Sequence, residues 1–249
     1  MRNAFFSNMY QAKTSRLHIS VLATIALVFL GSTENLIRII RQKSIYPAGY
    51  SANFMNNALN ADAVVSFLPV IAVLPFSGVY VDDIKSKFSH FYLIRSNYRN
   101  YLWSRVLVCF LCGGGTILLG GVLSWGISTL LFTPMEMDAQ EGIVNSVQLW
   151  PVLSLLFLSG GLWSVVGMSM STLMESKHIA YASPFIIYYL LIILYERYFS
   201  GIFLLSPLNW IKPEVWPFGW VGAAIFLLEI ITVFAILFVV RAGRRLREL

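Results

Sequence analysis

The residues of this sequence that could perform chemistry are few and lie far apart. Cys109 and Cys112 form a C-x-x-C pair, a spacing that suits zinc binding or thiol–disulfide chemistry. Both lie in an apolar stretch with no second cysteine pair, so thiols buried in the lipid bilayer are the preferred interpretation. The histidines, His18, His90 and His178, form no H-E-x-x-H motif, and no G-x-S-x-G motif occurs. The patterns therefore predict neither an enzyme nor a metal or other cofactor.

Glu229 is the remaining candidate, an acidic residue inside the apolar stretch 216–240. A charged carboxylate at the centre of a bilayer costs about 3 kcal/mol, so it is expected to be protonated, paired or facing a polar cavity. Two interpretations stay open. Glu229 could contact a substrate or gate a translocation path, or it could be a structural carboxyl hydrogen-bonded between helices. The lack of a second ionisable group as a relay partner favours the structural role.

The composition excludes a water-soluble domain. Hydrophobic residues make up 57% of the 249 residues and charged residues only 12%, about half of the roughly 25% that is usual in soluble domains. Intrinsic disorder is excluded as well, because disordered chains are poor in apolar residues. The chain is therefore expected to be an all-α, polytopic membrane protein.

Six stretches are apolar enough for membrane-spanning helices, each of which needs roughly 20 residues. They are residues 17–33, 63–81, 106–132, 147–174, 179–195 and 216–240. Lys and Arg predict the orientation, because they accumulate on the cytoplasmic side of membrane proteins. With both termini in the cytoplasm, 13 of the 18 Lys and Arg residues fall on that side. The net charge of +6 is therefore explained by an anionic membrane surface and requires no nucleic acid.

The segments outside the spans carry patterns of their own. Residues 1–16 have the pattern of a short interfacial helix that lies in the membrane plane. Prolines within residues 198–215 exclude one continuous helix and predict a broken element that re-enters or lies along the outer membrane surface. Glycines cluster in residues 113–121 and 159–167. Because no phosphate-loop lysine follows them, the clusters predict close packing of helices in the membrane.

The inner segment 82–105 combines charged with aromatic residues. Aromatic and arginine side chains are the usual anchors of protein interfaces, so this segment could dock a cytoplasmic protein. A basic loop lying on anionic lipid headgroups fits the same pattern equally well. The candidate docking residues are Asp82, Asp83, Phe88, Phe91, Tyr92, Arg95, Tyr98 and Arg99.

The order of these parts resembles the membrane subunit of bacterial type 2 (exporter-like) ABC transporters. The most similar stretches are FSGVYVDDIKSKFSHFYLIRSNYRNYLWSRVLV, residues 76–108, and GLWSVVGMSMSTLMESKHIAYASPFIIYYLL, residues 161–191. In that family the first stretch carries an acidic pair followed by a short coupling helix. The second stretch looks like the hairpin of the fourth and fifth spans. The resemblance covers nearly the whole chain.

This resemblance implies a permease subunit of the bacterial plasma membrane that exports a hydrophobic or amphipathic compound, such as a peptide, a lantibiotic or a drug. A separate ATPase would bind the ATP and contact the docking residues and the N-terminal helix. A second permease, either another copy or a relative, would meet this one through the first, second and fifth spans. The alternatives are a non-transporting scaffold or sensor subunit, and an ion-coupled carrier that uses Glu229.

Overall fold

A computed structural model describes residues 2–13, 17–42, 49–86, 98–136 and 149–248. The secondary structure of these residues consists of α-helices and short turns, as the composition predicts. In chain order the α-helices are α1 (Arg2–Lys13), α2 (Leu17–Gly31), α3 (Thr33–Gln42), α4 (Tyr50–Leu59), α5 (Asp62–Val73), α6 (Val79–Lys85), α7 (Tyr98–Phe132), α8 (Leu149–Met174), α9 (Lys177–Arg197) and α10 (Gly219–Glu248).

Several of these helices are suited to the membrane. In the described part of the chain, four helices, α7 to α10, are long and apolar enough to cross a bilayer. The number rises to six if each of two bent helix pairs counts as one span. The first pair is Phe5–Ala12 of α1 with α2, and the second is α4 with α5, between which the bend is 62°. The fold is therefore that of an all-helical, multi-pass membrane protein with four to six candidate spans. The number six and the cytoplasmic side of both termini stay predictions.

Residues 63–81, the second predicted span, do not form one continuous helix. Helix α5 ends at Val73, residues 74–78 form turns, and α6 begins at Val79. Pro75 contributes to the break because it has no N–H group and so cannot donate the next helical hydrogen bond. Pro69 lies inside α5 without ending it.

The boundaries of the inner segment also differ from the expectation. Helix α6 extends to Lys85, and α7 begins at Tyr98, so residues 98–105 belong to a helix and not to a loop. Between α9 and α10, residues 198–215 contribute no long helix. They contain three short 3-10 turns, Phe203–Leu205, Pro207–Trp210 and Pro213–Val215.

Helix α8 lies at the centre of the bundle. Within its apolar stretch 72% of the residues are buried, against 17% in α9 and 28% in α10. Glycines allow α7 and α8 to approach closely: a Cβ atom on Gly113 would lie 2.3 Å from the Cβ of Ser164 and 2.9 Å from the carbonyl oxygen of Gly160. The predicted close packing at the glycine clusters is therefore confirmed.

Helix α9 also crosses α8 at a glycine. Pro184 lies inside α9 and, having no N–H group, leaves the carbonyl of Ala180 without its usual helical donor. A Cβ atom on Gly167 of α8 would lie 2.5 Å from that carbonyl oxygen. The glycine thus provides the space in which α9 crosses α8.

Candidate functional site

Asp83 occupies a buried position between three helices. Its side chain is 4% exposed and forms an ion pair with Arg105 of α7. The hydroxyl of Tyr101 donates a hydrogen bond of 2.9 Å to Oδ2 of Asp83, and Nε2 of Gln11 in α1 donates one of 3.3 Å to Oδ1. Both carboxylate oxygens thus have donors, as a buried charge requires.

Arg105 is completely buried. Besides its contact with Asp83, its guanidinium carbon lies 5.3 Å from the ring centroids of both Phe76 and Tyr101. Nε and Nη1 have no hydrogen-bond partner among the described residues. Cation–π attraction to the two rings therefore supplements the ion pair in a site from which water is excluded.

A second buried contact fixes α1 to α7. Nδ2 of Asn8 donates a hydrogen bond of 2.8 Å to Oγ of Ser104, and this hydroxyl donates to the carbonyl of Tyr101 at 2.8 Å. On the opposite side of α1, Phe6 and Tyr10 are exposed. A helix with a polar residue facing the bundle and aromatic residues facing outward suits the interfacial position expected for residues 1–16. We call the six residues Asn8, Gln11, Asp83, Tyr101, Ser104 and Arg105 the buried polar network.

Two further ion pairs lie at this end of the bundle. Lys177 at the start of α9 pairs with Asp82 of α6. Arg245 near the end of α10 pairs with Glu175 in the turn between α8 and α9, and also donates to the carbonyl of Thr172 at 3.4 Å. All four charged groups are about 40% exposed, so each pair contributes at most about 1 kcal/mol of stability. Their main consequence is geometric. They bring α6, the start of α9 and the end of α10 to the end of the bundle where α1 lies.

The structure separates the predicted docking residues into three groups. Phe88, Phe91, Tyr92 and Arg95 lie outside the described residues. Tyr98 and Arg99, in the first turn of α7, line a groove of about 400 Å³ together with Trp103 and the end of α10, and Nε of Arg99 donates to the Tyr98 hydroxyl at 3.2 Å.

The two acidic candidates differ from each other. Asp82 is half-exposed, so a docking partner could reach it. Asp83 is enclosed by the buried polar network. Of the two predicted docking residues, only Asp82 is accessible: in this conformation the Asp83 carboxylate contacts α1 and α7 and not the surface.

The sequence analysis missed most of the buried polar network. Arg105 was counted only among the positive charges of the cytoplasmic side. Asn8, Gln11, Tyr101 and Ser104 were not predicted to have a role. One signal was available: Tyr101, Ser104 and Arg105 have helical spacing, which places three polar groups on one face at the start of an apolar helix. The pairing of this face with Asp83 and α1 is a tertiary contact that no such spacing indicates.

Both cysteines are buried in the structure. Cys109 is completely buried within the bundle, its Sγ 3.1 Å from Oγ of Ser164. Ser77, in the turn between α5 and α6, donates to the carbonyl of Ser164 at 3.0 Å. The cysteine therefore belongs to a polar contact between three segments of the bundle, and within the described residues no group of three His, Cys, Asp or Glu side chains could hold a metal ion.

Glu229 is exposed on α10. Its carboxylate has no hydrogen bond or ion pair with the residues that the structure describes; only its backbone carbonyl has a local partner, the Thr232 hydroxyl at 2.7 Å. The favoured interpretation placed this carboxyl in a hydrogen bond between helices, and it makes no such bond to any helix that the structure describes. The geometry thus consists of a buried polar network beside α1, α6 and α7 and an exposed carboxylate on α10. No protein-family model, curated protein or solved structure matches the chain.

Proposed function

We propose that this chain is the membrane-spanning subunit of an ATP-driven ABC exporter in the bacterial plasma membrane, working with a separate ATPase. The observation that carries the proposal is the buried polar network. It joins α6 and α7 to each other and to the N-terminal helix. These two helices carry the ends of segment 82–105, which we call the docking segment. A partner that moves this segment therefore acts on three helices at once.

The network makes the base of the docking segment rigid. Breaking the ion pair between Asp83 and Arg105 would leave two buried charges uncompensated, so a push on the segment moves α6 and α7 together and does not separate them. The exposed pair of Asp82 with Lys177 continues this connection to α9. In the proposed exporter, closure of the ATPase on ATP supplies the push.

The outward faces of three adjacent helices suit the expected contact with a second permease. Helix α5 packs against both α2 and α9, so the three helices present one continuous surface. This surface is apolar: Leu22 of α2, Phe67 of α5, and Ile186 and Leu190 of α9 are all about half exposed or more. They belong to the first, second and fifth of the expected spans.

The lining of one groove supports the proposed cargo class. A groove of about 350 Å³ between α8, α9 and α10 is lined only by apolar and aromatic side chains, among them Trp163, Trp210, Phe226 and Phe234. Such a lining binds apolar groups and discriminates little between polar ones. It supports a hydrophobic or amphipathic cargo, such as a peptide, a lantibiotic or a drug.

The docking segment provides the direct test of the ATPase partner. We expect Arg95→Glu and Arg99→Glu each to lower co-purification of the proposed partner ATPase by about tenfold, the loss that removal of about 1.4 kcal/mol of binding produces. Membrane insertion should be unchanged. The matched control is Arg197→Glu, an exposed arginine at the far end of α9. Normal co-purification of both docking variants would contradict the proposed interface.

The side of the membrane on which the docking segment lies can be tested separately. Ser86 is exposed at the end of α6, whereas the native Cys109 and Cys112 are buried. In Ser86→Cys, a membrane-impermeant maleimide should therefore label inside-out vesicles at least tenfold faster than intact cells, with low labelling of the unmodified chain. Fast labelling of intact cells would place the segment outside, where no ATPase could reach it.

Transport distinguishes the exporter from a scaffold or sensor that uses the same docking end. Proteoliposomes that contain the chain and its ATPase should hydrolyse ATP faster when a suitable hydrophobic or amphipathic compound is added, and should move that compound across the membrane. A scaffold would bind the ATPase without either effect. The ion-coupled carrier gains no support from Glu229, because its carboxylate contacts no second ionisable group among the described residues.

A further inference from the structure

The position of Glu229 on α10 identifies a surface that the exporter model does not use. The buried residues of this helix recur every three or four positions and face α7 and α8; they are Ala223, Leu227, Ile231, Ala235, Phe238 and Ala242. At 100° per residue, Glu229 lies on the opposite side of the helix. We call that side the outer face of α10; its exposed members around the carboxylate are Ile225, Glu229, Thr232, Val233 and Ile236.

The depth of Glu229 makes its exposure significant. It lies near the middle of the apolar stretch 216–240, and α10 is one of the four helices long and apolar enough to span a membrane by itself. Ionisable groups at this depth normally face protein or a water-filled cavity and pair with another polar group. The described part of this chain supplies no such partner, whereas a second molecule packed on this face could supply one.

A second copy of the chain does not supply the partner. A twofold contact through the outer face of α10 would bring one Glu229 carboxylate against another. The nearest cations on α10 are Arg241 and Arg244, and even Arg241 is 12 residues or about 18 Å further along the helix. Arg105, at the start of α7, is buried in its pair with Asp83. No described cation of this chain is therefore available at mid-membrane depth.

We propose that the outer face of α10 is an intramembrane interface for a transmembrane helix of a different protein, which presents a lysine or arginine side chain to Glu229. The remaining side chains of the face are aliphatic apart from Thr232, so they provide the apolar contact that surrounds such a charge pair. The hydroxyl of Thr232 already donates to the Glu229 backbone carbonyl, which leaves the carboxylate free for the incoming cation. This interface is independent of the proposed transport function.

A model peptide tests the proposal without knowledge of the natural partner. The probe is a transmembrane peptide of about 20 leucines with one central lysine, and its matched control has leucine at that position. Association with the full-length chain in phosphatidylcholine vesicles is measured by fluorescence energy transfer. We expect the lysine peptide to bind about tenfold more tightly than the leucine peptide, and Glu229→Gln to abolish the difference.

Two further variants separate charge pairing from misfolding. Glu229→Asp keeps a carboxylate and should retain at least part of the preference for the lysine peptide. Glu214→Gln removes an exposed carboxylate outside α10 and should leave the preference unchanged. Equal binding of the two peptides to the unmodified chain, or a preference that survives Glu229→Gln, would overturn the proposal.

Two other occupants of the outer face have distinct signatures. If the face joins two copies of this chain, energy transfer between differently labelled copies will fall in Glu229→Gln. If the face lines a water-filled path, a cysteine at Val233, which is 61% exposed, will react with a membrane-impermeant thiol reagent in vesicles without peptide. Either result would overturn the assignment to a basic helix of another protein.

Discussion

Replacement of Arg105 by methionine is expected to lower the free energy of unfolding by about 3 to 5 kcal/mol. The substitution leaves the Asp83 carboxylate, whose side chain is 4% exposed, buried without its cation. It also removes the guanidinium that contacts Phe76 and Tyr101. The measurement is the denaturant-induced unfolding of the purified chain in detergent, followed by tryptophan fluorescence.

Two control variants identify the cause of this loss. Arg241→Met removes an exposed arginine and should change the free energy of unfolding by no more than about 0.5 kcal/mol. The double variant Asp83→Leu with Arg105→Met removes both charges and should recover most of the stability, since no unpaired buried charge remains. A loss below about 1 kcal/mol in Arg105→Met would show that the pair is not enclosed as described.

Gly113→Val is expected to have the second large effect, a loss of about 3 kcal/mol, near the upper end for overpacked cores. Its Cβ atom would lie 2.3 Å from the Cβ of Ser164 and 2.9 Å from the carbonyl oxygen of Gly160. Backbone atoms cannot rotate out of the way, so α7 and α8 must separate. The separation would also disturb the contact of Cys109 with Ser164.

Gly115→Val is the matched control, in the same glycine run of the same helix. A Cβ atom on Gly115 would have no heavy atom within 4 Å. The free energy of unfolding of this variant should therefore lie within about 0.5 kcal/mol of that of the unmodified chain. Unfolding curves and the yield of folded protein in the membrane compare the two variants. Equal losses would mean that valine itself, and not the approach of α8, is responsible.

The sequence predicts the long spans well. Residues 147–174 and 179–195 were expected as spans, and the helices are Leu149–Met174 and Lys177–Arg197. The agreement has a simple cause, because a bilayer-crossing helix must satisfy its own backbone hydrogen bonds over an apolar length that is visible in the sequence. Glycine clusters likewise predict close packing, because residues without a side chain allow two helix backbones to approach each other in lipid.

The break in residues 63–81 shows where this approach stops. An apolar composition requires that backbone groups be satisfied, and it does not require one continuous helix. In the turn after α5, Ser77 donates its backbone N–H to the Val73 carbonyl and its hydroxyl to the Ser164 carbonyl of α8. The bundle itself therefore compensates the turn, which the local sequence cannot reveal.

The candidate site was predictable only in its location. Charged and aromatic residues indicate an interface in segment 82–105, but the same pattern does not tell which carboxylate faces inward. Asp82 and Asp83 are neighbours of the same type, and one pairs with an exposed lysine while the other pairs with a buried arginine 22 positions further along the chain. That choice depends on how α6 docks against α7 and α1.

The crossing of α8 and α9 at Gly167 has a mechanical consequence. The buried residues of α9 are Ala180, Pro184 and Tyr188, which lie between its start and a point just past its middle, and the backbone of α9 approaches α8 at Ala180. Beyond Tyr188 the helix has no fully buried residue. In the proposed exporter, a displacement of Lys177 would therefore tilt α9 about a point near its start and move its opposite end through a larger distance.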